Sequence, residues 1–195
     1  MKLDILTRQL AERWIGKFKS LSLTRLYLLT ISISVLCALT YFFATYFPTL
    51  YLFAIAFLLL KLIFTEITRL TSQRHHQKNN RHEIFCFLMT EFTDILLMVT
   101  IILANTSYYA IGIFALAVYW AITTFIYIEQ KTKSHVEISH LLDHTHRITA
   151  LLIFTVPQLI LQEFSARLDV LFLYFVWIIL AGIGTLIFYC RRERG

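Results

Sequence analysis

The segment Tyr51-Leu-Phe-Ala-Ile-Ala-Phe-Leu-Leu-Leu60 is an unbroken apolar run, and the cation Lys61 follows it directly. Such a run predicts a helix rather than the short alternating strands of a membrane β-barrel. Similar stretches recur along the chain: 58% of its 195 residues are hydrophobic, 15% are charged, and the mean hydropathy is +0.68. This is more apolar surface than a water-soluble domain of that size carries. The sequence therefore predicts an all-α integral membrane protein.

Polar breaks divide the apolar stretches into six predicted membrane helices. Each is long enough to cross about 30 Å of hydrocarbon at about 1.5 Å per residue. The predicted spans are residues 25–47, 49–69, 83–104, 107–127, 147–164 and 169–190. The fifth is the least apolar because it is interrupted by Pro157, Gln158, Gln162 and Glu163. We expect a single six-helix membrane domain over residues 21–195.

The first twenty residues predict an amphipathic helix that lies on the cytoplasmic leaflet. Its large apolar residues recur at helical spacing, and charged residues occupy the rest of the helical wheel. The apolar set is Leu3, Leu6, Leu10, Trp14 and Phe18. Charges throughout the segment exclude the apolar core of a secretory signal peptide. Whether this helix only anchors the first span or also handles lipids is left open by the pattern.

Lysine and arginine collect on one side of the predicted spans. With the six spans above, 16 of the 18 lie on that side, and the exceptions are Lys61, inside a span, and Arg167. The positive-inside rule then places both termini and both long loops in the cytoplasm, in a bacterial inner membrane or its equivalent. The opposite side has only short connections, which argues against an extracytoplasmic receptor. We expect membrane lipids as partners and no nucleic acid.

Two ionisable residues lie at similar depth inside the second and third predicted spans. Lys61 is eight residues, about 12 Å of helix, from Arg69, and Asp94 is eleven residues, about 16 Å, from Glu83. Groups at such depth are costly in lipid and usually have a partner or a function. Each of them shares a helical face, at a spacing of four, with other residues toward the cytoplasmic helix end: Lys61, Thr65 and Arg69 on one span, and Cys86, Thr90 and Asp94 on the other. The sequence predicts a polar seam between the two spans.

This seam resembles the signature of the CDP-alcohol phosphatidyltransferase family, whose members have an amphipathic N-terminal helix, six membrane helices and a cytoplasm-facing metal site between the second and third. The family pattern runs D-x2-D-G-x2-A-R and, usually eight residues later, G-x3-D-x3-D. Thr68-Arg69 matches its Ala-Arg, and Asp94 matches its closing aspartate. The remaining positions differ: Lys61 and Phe64 stand at the first two aspartates, Thr65 and Cys86 at the glycines, and Thr90 at the third aspartate. Sixteen residues separate Arg69 from Cys86.

A second segment, Leu141-Leu-Asp-His-Thr-His-Arg147-Ile, is similar to the family's G-L-L-x-R-x-E-R stretch, with Arg147 at its last arginine and His146 at its glutamate. The resemblance implies transfer of a phosphoalcohol or phosphatidyl group from a CDP-linked lipid donor in phospholipid synthesis, with Mg²⁺ or Mn²⁺ as cofactor. It implies Asp94 as the catalytic residue that activates the alcohol, and Arg69 and Arg147 as ligands of substrate phosphate. It also implies a homodimer.

The missing aspartates leave the activity open. A divalent ion with bound pyrophosphate needs several hard oxygen ligands, and one of the family's four carboxylates remains, so we expect no metal ligand set in this chain. Lys61 is then expected to form a charge pair with Asp94 in place of the metal. The leading hypothesis is a family-like membrane protein with an eroded metal site, either a transferase or a pseudoenzyme.

Two alternatives come from other classes. In a non-enzymatic membrane scaffold or accessory subunit, Lys61 and Asp94 are an interhelical salt bridge and nothing more. In a His-ligated membrane metalloenzyme, His140-x-x-x-His144 supplies two ligands on one helical face. The other histidines of the two polar loops are His75, His76, His82, His135 and His146.

Overall fold

The computed structural model describes residues 9–14, 22–74, 80–132, 143–164 and 169–192. These residues form helices with short connections and contain no strand, which confirms the all-α prediction. The long helices are α1 (Leu23–Ala44), α2 (Leu50–Arg74), α3 (Asn80–Ala104), α4 (Tyr109–Thr132), α5 (His144–Glu163) and α6 (Leu171–Arg192). A short 3-10 helix, Thr106–Tyr108, leads into α4. α2, α3 and α4 extend past the predicted spans because the polar residues at their ends continue the helix.

Five of these helices are long and apolar enough to cross a membrane, as an integral membrane protein requires. The spanning segments are Leu23–Ala44, Leu50–Ser72, Phe87–Ala104, Thr106–Ile128 and Leu171–Arg191. The fifth predicted span corresponds to α5, which is helical but does not reach the same hydropathy. Of the predicted surface helix at residues 1–20, residues 9–14 are helical, and the rest lies outside the described residues.

The chain divides into two compact units, Met1–Ala104 and Asn105–Gly195. In the first unit, α1 packs along both α2 and α3. One cluster at the end of this unit combines Leu26 of α1 with Ile67 and Leu70 of α2, and Ala11 is buried against them. The helical residues 9–14 therefore contact the same helix ends that carry the predicted seam. A single six-helix domain stays a prediction.

In the second unit, α6 packs against both α4 and α5. Aromatic rings fill its core, where Phe175 contacts Tyr108 at a ring-centroid distance of 5.6 Å and Tyr174 at 5.6 Å. Near the same end, the Asn105 side chain donates to Asp169 Oδ2 at 2.9 Å. The residue before the 3-10 helix is thereby hydrogen-bonded to a residue two positions before α6.

The start of α6 is capped by a side chain from α5. The Gln158 Oε1 atom accepts the backbone N–H of Val170 at 2.7 Å and that of Leu171 at 3.3 Å. The first N–H groups of a helix have no partner inside the helix, so an acceptor from another element satisfies them. Gln158 is 2% exposed, and its amide is therefore part of the packing between α5 and α6.

α5 buries several polar side chains and exposes apolar ones. Arg147, Thr155 and Gln158 are buried within the second unit. Its exposed residues, among those whose side chains are described, are apolar, namely Ile153, Val156 and Ile160, and the exposed Phe164 follows as the C-cap. The low hydropathy of α5 therefore comes from the side that packs on its neighbours, and its outer surface is as apolar as that of a membrane helix.

Candidate functional site

Lys61 of α2 and Asp94 of α3 form an ion pair inside the first unit. Lys61 Nζ lies 2.7 Å from Asp94 Oδ1, and the two side chains are 0% and 4% exposed. A second bond runs from Nζ to Thr93 Oγ1 at 3.1 Å. The structure thus brings together the two residues that the sequence analysis expected to be partners. Each charge is compensated at close range, which burial of an ionised group requires.

Lys61 and Asp94 meet because each lies on the side of its helix that faces the other helix. This side of α2 and α3 is the predicted polar seam. α1 packs along both helices, whereas α2 and α3 approach each other at fewer positions. The four-carbon stem of Lys61 spans the space that remains, with its amine at the level of Thr93 and Asp94. The carboxylate oxygen that accepts the ammonium is occupied by it, so a cation would have to displace Lys61 to reach that oxygen.

A small cavity lies among α1, α2 and α3, next to the ion pair. Its volume is about 20 Å³, and its polar lining consists of Tyr27, Thr30, Thr65, Thr68, Thr90 and Thr93. We call it the threonine cavity. It lies on the side of the pair that faces the Arg69 end of α2, where the resemblance places a donor site. Small-molecule sites enclose about 300–1,000 Å³, so the cavity is far too small for a nucleotide-linked lipid.

Arg69 lies at the surface rather than in the seam. Its Nε and Nη2 donate to the two carboxylate oxygens of Glu66 at 2.8 and 2.6 Å. The Arg69 side chain is 50% exposed and the Glu66 side chain is 17% exposed. The resemblance assigns the Arg69 guanidinium to substrate phosphate. Here the guanidinium forms a bidentate contact with Glu66 within one helix turn. The role of Arg69 as a phosphate ligand stays a prediction.

Arg147 belongs to the second unit and is 2% exposed. Its guanidinium lies 4.7 Å from the centre of the Tyr119 ring, within the range of a cation–π interaction. The arginine therefore does not extend into solvent from the start of α5, as arginines at helix ends commonly do. The burial of Arg147 identifies it as a packing element of α4 and α5, and its assignment to substrate phosphate stays a prediction.

Among the residues that the structure describes, no three His, Cys, Asp or Glu side chains converge into a metal-binding group. His144 and His146 lie at the start of α5. The other histidines fall outside the described residues, apart from His82, whose backbone is helical but whose side chain, like that of Cys86, is not described. The histidine hypothesis and the Cys86 position therefore stay predictions.

Two residues of the site were not foreseen from the sequence. Thr93 accepts from Lys61, but the spacing of four residues from Asp94 pointed to Thr90 instead. The Tyr119 ring contacts the Arg147 guanidinium through a cation–π interaction. Nothing in the sequence predicts that a tyrosine of α4 contacts an arginine of α5. The signal for Thr93 was its position next to Asp94, because a flexible ammonium group can reach two consecutive side chains.

No known family model, curated protein or solved structure matches this chain.

Proposed function

We propose that this chain is a CDP-alcohol phosphatidyltransferase-like multi-pass membrane protein that has lost catalysis and acts as a membrane scaffold or accessory subunit. The observation that carries the proposal is the buried contact of 2.7 Å between Lys61 and Asp94. Lys61 stands at a position where the family pattern has an aspartate, and its ammonium supplies the positive charge that a divalent ion supplies in an active member. The closing aspartate therefore has a partner without a metal.

The small volume of the threonine cavity supports the same conclusion. A CDP-linked lipid must place a nucleotide and a pyrophosphate beside the closing aspartate, and that requires a site tens of times larger than about 20 Å³. The guanidinium of Arg69 is engaged by Glu66 in the same unit. Neither feature favours binding of such a donor.

The membrane arrangement in this proposal has six spans, with both termini in the cytoplasm. α5 is the helix that raises the number of spans from five to six. It has 20 residues, about 30 Å of helix, and an apolar outer face, which supports a membrane-spanning position. The many exposed apolar side chains of the other helices fit lipids as partners. A homodimer, which the resemblance implies, is part of the same proposal.

The direct test is a transferase assay with a paired metal-binding measurement. Purified protein in lipid is given Mn²⁺, CDP-diacylglycerol and acceptor alcohols, and release of CMP is measured. We expect no turnover and no tight Mn²⁺ binding by electron paramagnetic resonance. Turnover that disappears in Asp94→Asn would refute the loss of catalysis. As a gain-of-function control, Lys61→Asp combined with Phe64→Asp and Thr90→Asp restores the family's carboxylates and should raise Mn²⁺ affinity.

The same control separates the proposal from a scaffold with no relation to the family. If the helices retain the ancestral geometry, the restored carboxylates converge and bind Mn²⁺ more tightly than the unaltered chain. A folded triple variant with unchanged Mn²⁺ affinity would favour the unrelated scaffold. Iron or zinc retained by the purified protein would instead favour the His-ligated enzyme, and loss of that metal in His144→Ala would identify its site.

A further inference from the structure

Two threonine hydroxyls of the threonine cavity donate to carbonyl groups of their own helices. Thr30 Oγ1 donates to the Leu26 carbonyl at 2.9 Å, and Thr68 Oγ1 donates to the Phe64 carbonyl at 2.7 Å. The two hydroxyl oxygens face each other at 3.4 Å. Whichever of the two hydroxyls donates across this contact, each oxygen keeps a lone pair that can accept a further hydrogen bond.

Thr93 has the same arrangement on the third helix. Its Oγ1 donates to the Thr90 carbonyl at 2.9 Å and accepts from Lys61 Nζ at 3.1 Å. One lone pair remains on this oxygen. α1, α2 and α3 each contribute a hydroxyl that acts as an acceptor at the cavity wall. A small ligand that donates hydrogen bonds therefore finds acceptors on all three helices.

We propose that the threonine cavity binds a single water molecule, which donates to the hydroxyl oxygens of Thr30, Thr68 and Thr93 in pairs. A buried water needs roughly 10–15 Å³ and two to four polar partners, and the cavity offers about 20 Å³ and acceptors from three helices. Small cations are disfavoured because no carboxylate lines the cavity and the nearby Asp94 is already paired with Lys61.

This water site goes beyond the proposed function and does not depend on the family relationship. The water connects the ion pair, through Thr93, with Thr68, which lies one residue before the exposed Arg69. It gives the buried charges a hydrated neighbour.

The test is water-edited solid-state NMR on the full chain in lipid bilayers, with ¹³C-labelled threonine. The measurement follows transfer of magnetisation from water to each threonine side chain. Thr155 is the matched control, because it is fully buried, donates to its own helix at Leu151 and does not line the cavity. We expect transfer to Thr30, Thr68 and Thr93, and none above background to Thr155.

The same NMR measurement on a variant that lacks one of these hydroxyls tests whether the water binds to them. Thr68→Val removes one acceptor while keeping the shape of the side chain, so transfer to Thr30, which faces Thr68, should fall, whereas Thr155→Val should leave it unchanged. If Thr68→Val does not fold, Thr30→Val removes the facing acceptor and serves the same purpose. The proposal is overturned if Thr30 and Thr93 in the unaltered chain receive no more magnetisation than Thr155. It is also overturned if replacing Na⁺ by K⁺ or ammonium shifts their signals, since the ligand would then be a cation.

Discussion

At the level of single residues, Lys61 and Asp94 each make the burial of the other tolerable. A lone charge at this depth would be uncompensated in a medium that solvates it poorly. The pair is not expected to be more stabilising than two apolar residues of similar volume, because both ions were taken out of water to form it. The two residues are therefore strongly dependent on each other.

Removing one member of the pair should destabilise the protein far more than removing both. We expect Asp94→Leu or Lys61→Met alone to lower the free energy of unfolding by about 3–5 kcal/mol, and the double variant to recover most of that loss. The measurement is unfolding in mixed detergent micelles, analysed as a double-mutant cycle. Losses in the single variants that simply add in the double variant would contradict this coupling.

The exposed pair of Glu66 and Arg69 is the control for that cycle. The Arg69 guanidinium lies 2.6 Å from the Glu66 carboxylate, and the Lys61 ammonium lies 2.7 Å from the Asp94 carboxylate. The two contacts are equally short, but the Arg69 side chain is half exposed. We expect Arg69→Gln to change the free energy of unfolding by no more than about 0.5 kcal/mol, since solvent screens the interaction. If Arg69→Gln lowered the free energy of unfolding as much as Asp94→Leu does, solvent exposure would not determine how much these ion pairs contribute to stability.

The partnership of Lys61 and Asp94 could be expected from the sequence because depth in the membrane is countable along a helix. Two opposite charges at similar depth on consecutive antiparallel helices have few other ways to be compensated. The burial of Arg147 could not be expected. The positive-inside rule treats an arginine at a helix start as a surface residue, whereas here a ring on another helix covers it.

At the level of helices, the Gln158 amide of α5 caps the start of α6, in addition to the packing between the two helices. Gln158 accepts two N–H groups of the first turn of α6 and is almost fully buried. Gln162 lies one turn further along α5, and among the described residues its Oε1 is buried without a hydrogen-bond partner. Replacing Gln158 by an apolar residue would remove two hydrogen bonds, whereas the same replacement at Gln162 would remove a buried acceptor that forms none among the described residues.

We expect Gln158→Leu to lower the free energy of unfolding by about 1–3 kcal/mol, because two buried donors lose their acceptor. Gln162→Leu, the matched control, should have little effect or a slightly stabilising one, since it removes an acceptor that has no donor. Thermal unfolding in the same detergent would measure both. Equal losses for the two variants would contradict the role given to Gln158.

Hydropathy predicted the helical segment that became α5 but gave it the weakest signal of the six. Window averages ignore the direction in which a side chain points, and the polar residues of α5 point inward. The sequence contains this pattern as a helical face of Ile153, Val156 and Ile160. The polar face could be recognised as buried only after α4 and α6 were in place.

At the level of the whole molecule, the number of spans decides where the chain ends. Six spans return the C-terminus to the side of the N-terminus, and five spans leave the two on opposite sides. If α5 spans the membrane, reporter fusions at both termini should give cytoplasmic signals, with a fluorescent protein that folds only there. A C-terminal fusion active only as an extracytoplasmic phosphatase would show that α5 lies on the surface.

The inward-facing polar side of α5 also constrains the order of assembly during synthesis. The acceptor on Gln158 meets its donors only when residues 170 and 171 have been made, so α5 emerges from the ribosome before the helix that covers this side exists. Its entry into the bilayer should therefore be delayed until α6 follows, and the two helices should leave the translocation channel together. A nascent chain that stops before α6 would leave α5 outside the lipid, exposed to quality-control proteases.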